Sequence, residues 1–184
     1  MAKRGIAGST FSDWWAYKNE VAEAIPYNGV LMSKVGVLTG FNSDDAEMAR
    51  RLNQEAAKAV KYGDMPQEEA LKLVTLNPAK MLHIDHRVGS IKAGKDADLV
   101  LWSDNPLSIY AKAEKTYVDG IAYWDMEDDA RKQAELVKEE ARLIQKMMEA
   151  KGKGASVQRP VFTRANLYDC ESIEGIASEE GHSH

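Results

Sequence analysis

Val35-Gly36-Val37-Leu38-Thr39-Gly40-Phe41-Asn42-Ser43-Asp44-Asp45 is the stretch on which the fold turns. Its first seven residues form a short apolar run without alternation, which suits a strand covered on both faces, as in a parallel sheet. The next four are polar, and a helix follows directly. Ala49, Leu52, Ala56, Ala59 and Val60 recur at helical spacing until Gly63 supplies a left-handed stop. In α/β barrels the C-terminal mouth of such a strand holds the catalytic groups. Asp44 stands where a carboxylate can bind a metal and accept a proton from metal-bound water. Capping competes for the same residues, because Ser43, Asp44 and Asp45 are all good N-cap or first-turn residues. On local sequence alone, capping is the stronger of the two.

Upstream, residues 1–34 read as loop and short helix, with Asn28 capping a helix through Lys34 and Gly36 as its stop. Phe11, Trp14, Trp15 and Tyr17 crowd into seven positions there. They line a pocket or pack beneath a loop, since Trp and Tyr serve both uses. Downstream, a second helix begins at Pro66 with the stripe Ala70, Leu71 and Val74, and Asn77-Pro78 starts one more turn reaching Leu82. From Arg87 the period changes. Val88 to Lys92 alternates, Leu99 to Trp102 reads as a strand, and Asp119-Gly120 joins Lys115–Val118 to Ile121–Trp124 as a hairpin. Residues 126–150 are helical and charged, with Ala130, Ala134, Val137, Ala141, Ile144 and Met148 at three- and four-residue steps. Residues 155–184 read as an extended arm.

Composition limits the function. The 184 residues are 44% hydrophobic and 29% charged, an ordinary globular balance, with a formal charge of −5. Mild acidity argues against nucleic acid, which a basic face would bind by counterion release. No apolar run approaches the ~18 residues of a membrane span. No signal peptide is visible, so the compartment is open and cytoplasmic by default. The single cysteine, Cys170, excludes a disulfide framework and a Cys-based zinc site. Its neighbours Asp169 and Glu171 would raise a thiol pKa, the wrong direction for a nucleophile. His83 and His86 are better read as an exposed linker pair than as ligands, because two donors do not close a site. His182 and His184 lie in a tail without fixed geometry.

Three stretches together resemble the C-terminal part of the metal-dependent amidohydrolase superfamily, in its imidazolonepropionase- and prolidase-like branch. They are Val37 to Asp44, similar to the eighth barrel strand with its terminal Ser-Asp; Ala70 to Lys80, similar to the helix after the barrel; and Val88 to Val100, similar to the return into the family's small β domain. The resemblance covers about residues 9–125 and implies an α/β fold: the last portion of a TIM-type (β/α)8 barrel in residues 1–86 and part of a small composite β domain in 87–125. The charged helix and tail of 126–184 follow.

By this resemblance Asp44 is the metal-site aspartate, a metal ligand that takes the proton of the attacking water. Asp13, Trp14 and Tyr17 stand by position near the mouth, as substrate-binding residues. The implied cofactor is a divalent metal, zinc in the first place, in the complete enzyme. The substrate is a small-molecule amide, hydrolysed at a carbon–nitrogen bond by metal-activated water.

The chain departs from the family pattern in one respect. The family's His-x-His pair and further histidines precede the aspartate, whereas here His83 is the first histidine. One carboxylate does not hold a catalytic ion. The expectation is therefore a C-terminal fragment whose isolated form is inactive and binds no stoichiometric metal at Asp44. Its partner would be the N-terminal barrel portion, in the same gene product or as a separate subunit. The strand at 35–41, without its neighbours, should leave Val37, Leu38 and Phe41 exposed. The alternative is a non-catalytic remnant or subunit acting as an assembly module through helix 126–150, with self-association into a homo-oligomer open to it. Neither reading involves nucleic acid or a membrane.

Overall fold

The computed structural model describes residues 1–156 and 158. They fall into two compact units, Met1–Met126 and the chain from Glu127 onward. The larger unit carries two sheets. In the first, β1 (Gly8–Thr10) and β2 (Thr39–Phe41) pair in parallel, with Gly8 opposite Thr39 and Thr10 opposite Phe41. All three residues of β2 are buried. Around it pack α1 (Asn28–Lys34), α3 (Leu52–Gly63), α4 (Gln67–Lys72) and α5 (Leu76–Met81). Val30, Phe41, Ala59, Ala70 and Leu73 form the core. The chain from β2 to α3 passes through α2 (Ala46–Ala49).

β2 is shorter than the seven-residue apolar run. Gly36 takes φ 82°, and the amides of Gly36 and Val37 turn back to Ser33 and Met32 carbonyls, so residues 35–37 close α1 instead of extending the strand. β1 comes from residues expected to be loop. Gly8-Ser9-Thr10 has no apolar period, and its partner strand defines it. The expected exposure of Val37 and Phe41 is not found: both are buried, because the flanking helices cover the strand. The outer edge of β2 is also occupied. The Phe41 amide donates to the Leu73 carbonyl (2.8 Å), and the Asn77 side-chain amide donates to the Thr39 carbonyl (2.8 Å). Asn77 thus serves the sheet, while Thr75 holds the cap position of α5. Asn28 likewise begins α1 behind Tyr27 and donates its side-chain amide to the Thr10 hydroxyl.

The second sheet is antiparallel, in the order β3 (Leu99–Trp102), β4 (Ala113–Val118), β5 (Ile121–Asp125). Asp119 and Gly120 both have positive φ, 51° and 77°, as the tight hairpin requires. Asp98 accepts the Asp119 amide and so ties the hairpin tip to the start of β3. β3 forms where the sequence reads a strand, and its Leu99, Val100 and Leu101 are exposed. Residues 88–92 form no strand. Gly89, at φ 83°, turns the chain there against Ala79 and the Thr75 carbonyl, leaving no room for a Cβ. The Lys95 ammonium fastens this turn by donating to the Asp85 and Val88 carbonyls and the Ser90 hydroxyl.

The second unit is built on α6 (Met126–Gly152), none of whose residues is buried. Asp128 pairs with Arg131 and Lys132, and Glu139 with Arg142. The Arg142 guanidinium holds the Glu139 carboxyl below its ordinary range, and Asp128 raises Lys132. Cys170, His182, His184 and the expected extended arm lie outside the described residues.

Candidate functional site

Parallel pairing places the C-terminal ends of β1 and β2 side by side, so the loops that follow them share one end of the sheet. The Asn42 amide donates to the Thr10 carbonyl (3.1 Å) and continues the pairing one residue past the strands. From there one loop carries Phe11–Tyr17 and the other Ser43–Asp45.

Geometry assigns the cap to one of Asp44 and Asp45. Asp45 has extended φ and ψ (−138° and 135°), and its side chain accepts the Met48 amide at 2.8 Å. It is the N-cap of α2. Asp44, one residue earlier, is exposed and makes no hydrogen bond or ion pair with any described residue. The carboxylate that the sequence motif singles out is therefore available.

The aromatic loop stands against the same segment. The Trp14 indole N–H points at the Met48 sulfur, 3.2 Å away, which joins the loop to the helix that Asp45 caps. Phe11 stacks on Trp14 with centroids 4.4 Å apart and 17° between planes, and Tyr17 meets Trp14 edge-on at 5.3 Å. Trp14 is half-buried, and Tyr17 and Trp15 are exposed. Offset and edge-on pairs of this kind make a stiff aromatic ledge.

A polar network with no local signal in the sequence lies beneath the loop. Ser12 is buried and donates to the Glu55 carboxylate, itself buried on α3. Lys58, one turn along, donates to both Glu55 oxygens (2.8 Å) and to Asp13. A buried carboxylate needs such partners, because isolated charge is costly to desolvate. Asp13 is thus anchored through Lys58. The spacing of Glu55 and Lys58 is a recognisable helical pair, but their link to Ser12 and Asp13 spans more than forty residues. Asn42 likewise carries no local signal in the sequence. Its Oδ1 is buried and accepts no hydrogen bond from a described residue.

The donor set for a metal is incomplete. Among the described residues no group of three or more His, Cys, Asp or Glu side chains could hold an ion. Asp44 offers one carboxylate, short of the three or four protein ligands such sites use. His83 sits with φ 59° just past α5, and both it and His86 are exposed. Nor is any helix of the described residues long and apolar enough to cross a membrane.

The chain is similar to known proteins. The profile of the amidohydrolase family matches residues 24–153. An amidohydrolase of Hapsidospora irregularis, tasK, is 37% identical over 123 residues, which are 66% of this chain and 12% of that protein. The urease subunit alpha of Edwardsiella ictaluri (strain 93-146) is 34% identical over 125 residues, 59% of this chain and 21% of the relative. Among solved structures, an amidohydrolase from Thermotoga maritima MSB8 superposes with TM-score 0.58 at 33% identity, covering 67% of this chain and 33% of that one. The chain therefore spans between about an eighth and a third of the length of these relatives.

Proposed function

Because the chain belongs to the amidohydrolase family, we propose that it is the C-terminal part of a metal-dependent hydrolase acting on carbon–nitrogen bonds of small amides. Residues 1–86 supply the last portion of a TIM-type barrel, with β1 and β2 as its final two strands. Residues 87–125 supply part of a small composite β domain. The N-terminal barrel portion, in the same gene product or as a separate subunit, brings the remaining ligands. A divalent metal, zinc in the first place, would belong to that completed site, where it would supply Lewis acidity, with Asp44 as this chain's ligand to it. This chain alone does not hold it.

The observation that carries this assignment is the unpaired Asp44 carboxylate at the shared end of two parallel strands, beside the aromatic ledge. Asp44 accepts a proton from the attacking water as the water oxygen adds to the carbonyl carbon. The proton then passes to the leaving nitrogen as the C–N bond breaks. Trp14 and Tyr17 form a wall against the substrate. Asp13 stands beside them, its direction set by Lys58.

Reconstitution tests this. The chain is joined to the upstream portion, translated from the DNA preceding Met1, and assayed on a panel of small amides and lactams. Turnover lost on chelation and in Asp44→Asn is the expected result. A folded, metal-loaded reconstituted protein that turns over equally well with Asn at position 44 would sink the assignment.

A further inference from the structure

We propose that α6 is a dimerisation element, pairing antiparallel with α6 of a second copy of this chain about an axis between Val137 and Ala141. Every residue from Ala130 to Gly152 is exposed, including Val137, Leu143, Ile144, Met147 and Met148. A helix of this length, about 40 Å at 1.5 Å per residue, gains its stability mainly by packing an apolar face. The seam is a heptad. Glu127, Ala134, Ala141 and Met148 form one series, and Ala130, Val137, Ile144 and Lys151 the other, in strict steps of three and four. The ion pairs Asp128–Lys132 and Glu139–Arg142 occupy other heptad positions.

The choice of a second copy comes from the order of residues along the seam. Reversed against itself, the series is complementary in every layer. Ala130 faces the partner's Met148, Ala134 the partner's Ile144, and Val137 the partner's Ala141. Each layer thus holds one small and one larger side chain, the alternation that fills an interhelical seam without voids or clashes. At both ends Glu127 comes opposite the partner's Lys151, so the end layers match in charge. A parallel pair in register would instead stack Ala on Ala at 130, 134 and 141, leaving gaps, and would set Glu127 on Glu127 and Lys151 on Lys151. Near the axis Glu140 and Lys138 each meet their own copy, but on solvent-exposed flanks, where water screens like charges.

The test uses the full chain with Cys170→Ser, into which Ala134→Cys or Ile144→Cys is introduced singly. Sedimentation should give a dimer. Oxidation of a mixture of the two variants should give a covalent dimer containing one of each, whereas either variant oxidised alone should not cross-link. Val137→Glu with Ile144→Glu should weaken the dimer at least about 100-fold, because it buries unpaired charge, with helix content by circular dichroism unchanged. A monomer at the highest soluble concentration would overturn the proposal. So would cross-linking of each variant with itself, or an assembly that the two glutamates leave intact. The inference is independent of the hydrolase assignment, and its failure would leave that assignment standing.

Discussion

The two sheets of the larger unit have opposite fates. The parallel pair β1–β2 has only three residues per strand, yet all of β2 is buried. The antiparallel sheet β3–β5 has longer strands and a tight hairpin turn, yet Leu101 is 51% exposed and Tyr123 71%. Hydrogen bonding does not separate them; connection does. β1 and β2 are linked through α1, and β2 is followed by α2 to α5, so each crossover lays a helix against the strand it leaves. β3, β4 and β5 follow one another without an intervening helix. A strand's burial in this chain is thus set by what precedes and follows it, more than by its own hydrophobicity.

The largest test of that contrast lies at the end of the buried sheet. In the reconstituted hydrolase, Asp44→Asn should lower kcat by about 10²- to 10⁴-fold, the usual cost of removing a general base. Asp45→Asn, which keeps a capping side chain, should leave kcat near the unaltered value. Steady-state kinetics on the two folded variants checks this, and equal losses would mean that the motif's register is misread. Next comes packing. Phe41→Ala should destabilise the chain by about 3–5 kcal/mol in a denaturant titration, as burial of a core aromatic implies. A comparable effect from Val100→Ala on the open sheet would break the comparison.

Gly89→Ala should cost more than about 1 kcal/mol, because its φ of 83° and the methyl of Ala79 both oppose a side chain. Thermal unfolding measures it. Asp45→Ala should cost roughly 1 kcal/mol through loss of the α2 cap. Ile121→Thr, on the open sheet, should fall within about 0.5 kcal/mol, as exposed substitutions usually do. The series sharpens the comparison if stability losses track helix cover position by position.

Some of this was readable beforehand. Asp119-Gly120 announces its hairpin because both residues tolerate positive φ, and that requirement is local. The heptad of α6 is equally local. β1 is not, because Gly8-Ser9-Thr10 has no pattern until β2 lies beside it. The same holds for Asn77, whose capping chemistry is real but whose side chain finds the Thr39 carbonyl thirty-eight residues away. At the candidate site, the motif ending in Asp44 could be picked out from sequence, but its division of labour with Asp45 could not. Both are good caps, and only the backbone angles assign the cap to one of them. Ser12, Glu55 and Lys58 were illegible for the reason β1 was: their pairing spans loops whose closure no local pattern encodes.

The Lys95 clasp bears on how the turn between residues 85 and 95 responds to chemical modification. An ammonium has three hydrogens, and here all three are engaged, by two carbonyls and one hydroxyl. Acylation removes those donors and the charge together, so this lysine is modified only when the turn opens. Lys92, three residues away and exposed, has no such protection. The ratio of acylation at Lys95 to that at Lys92 therefore measures how often this turn opens, and Gly89→Ala, which strains the same turn, should raise it.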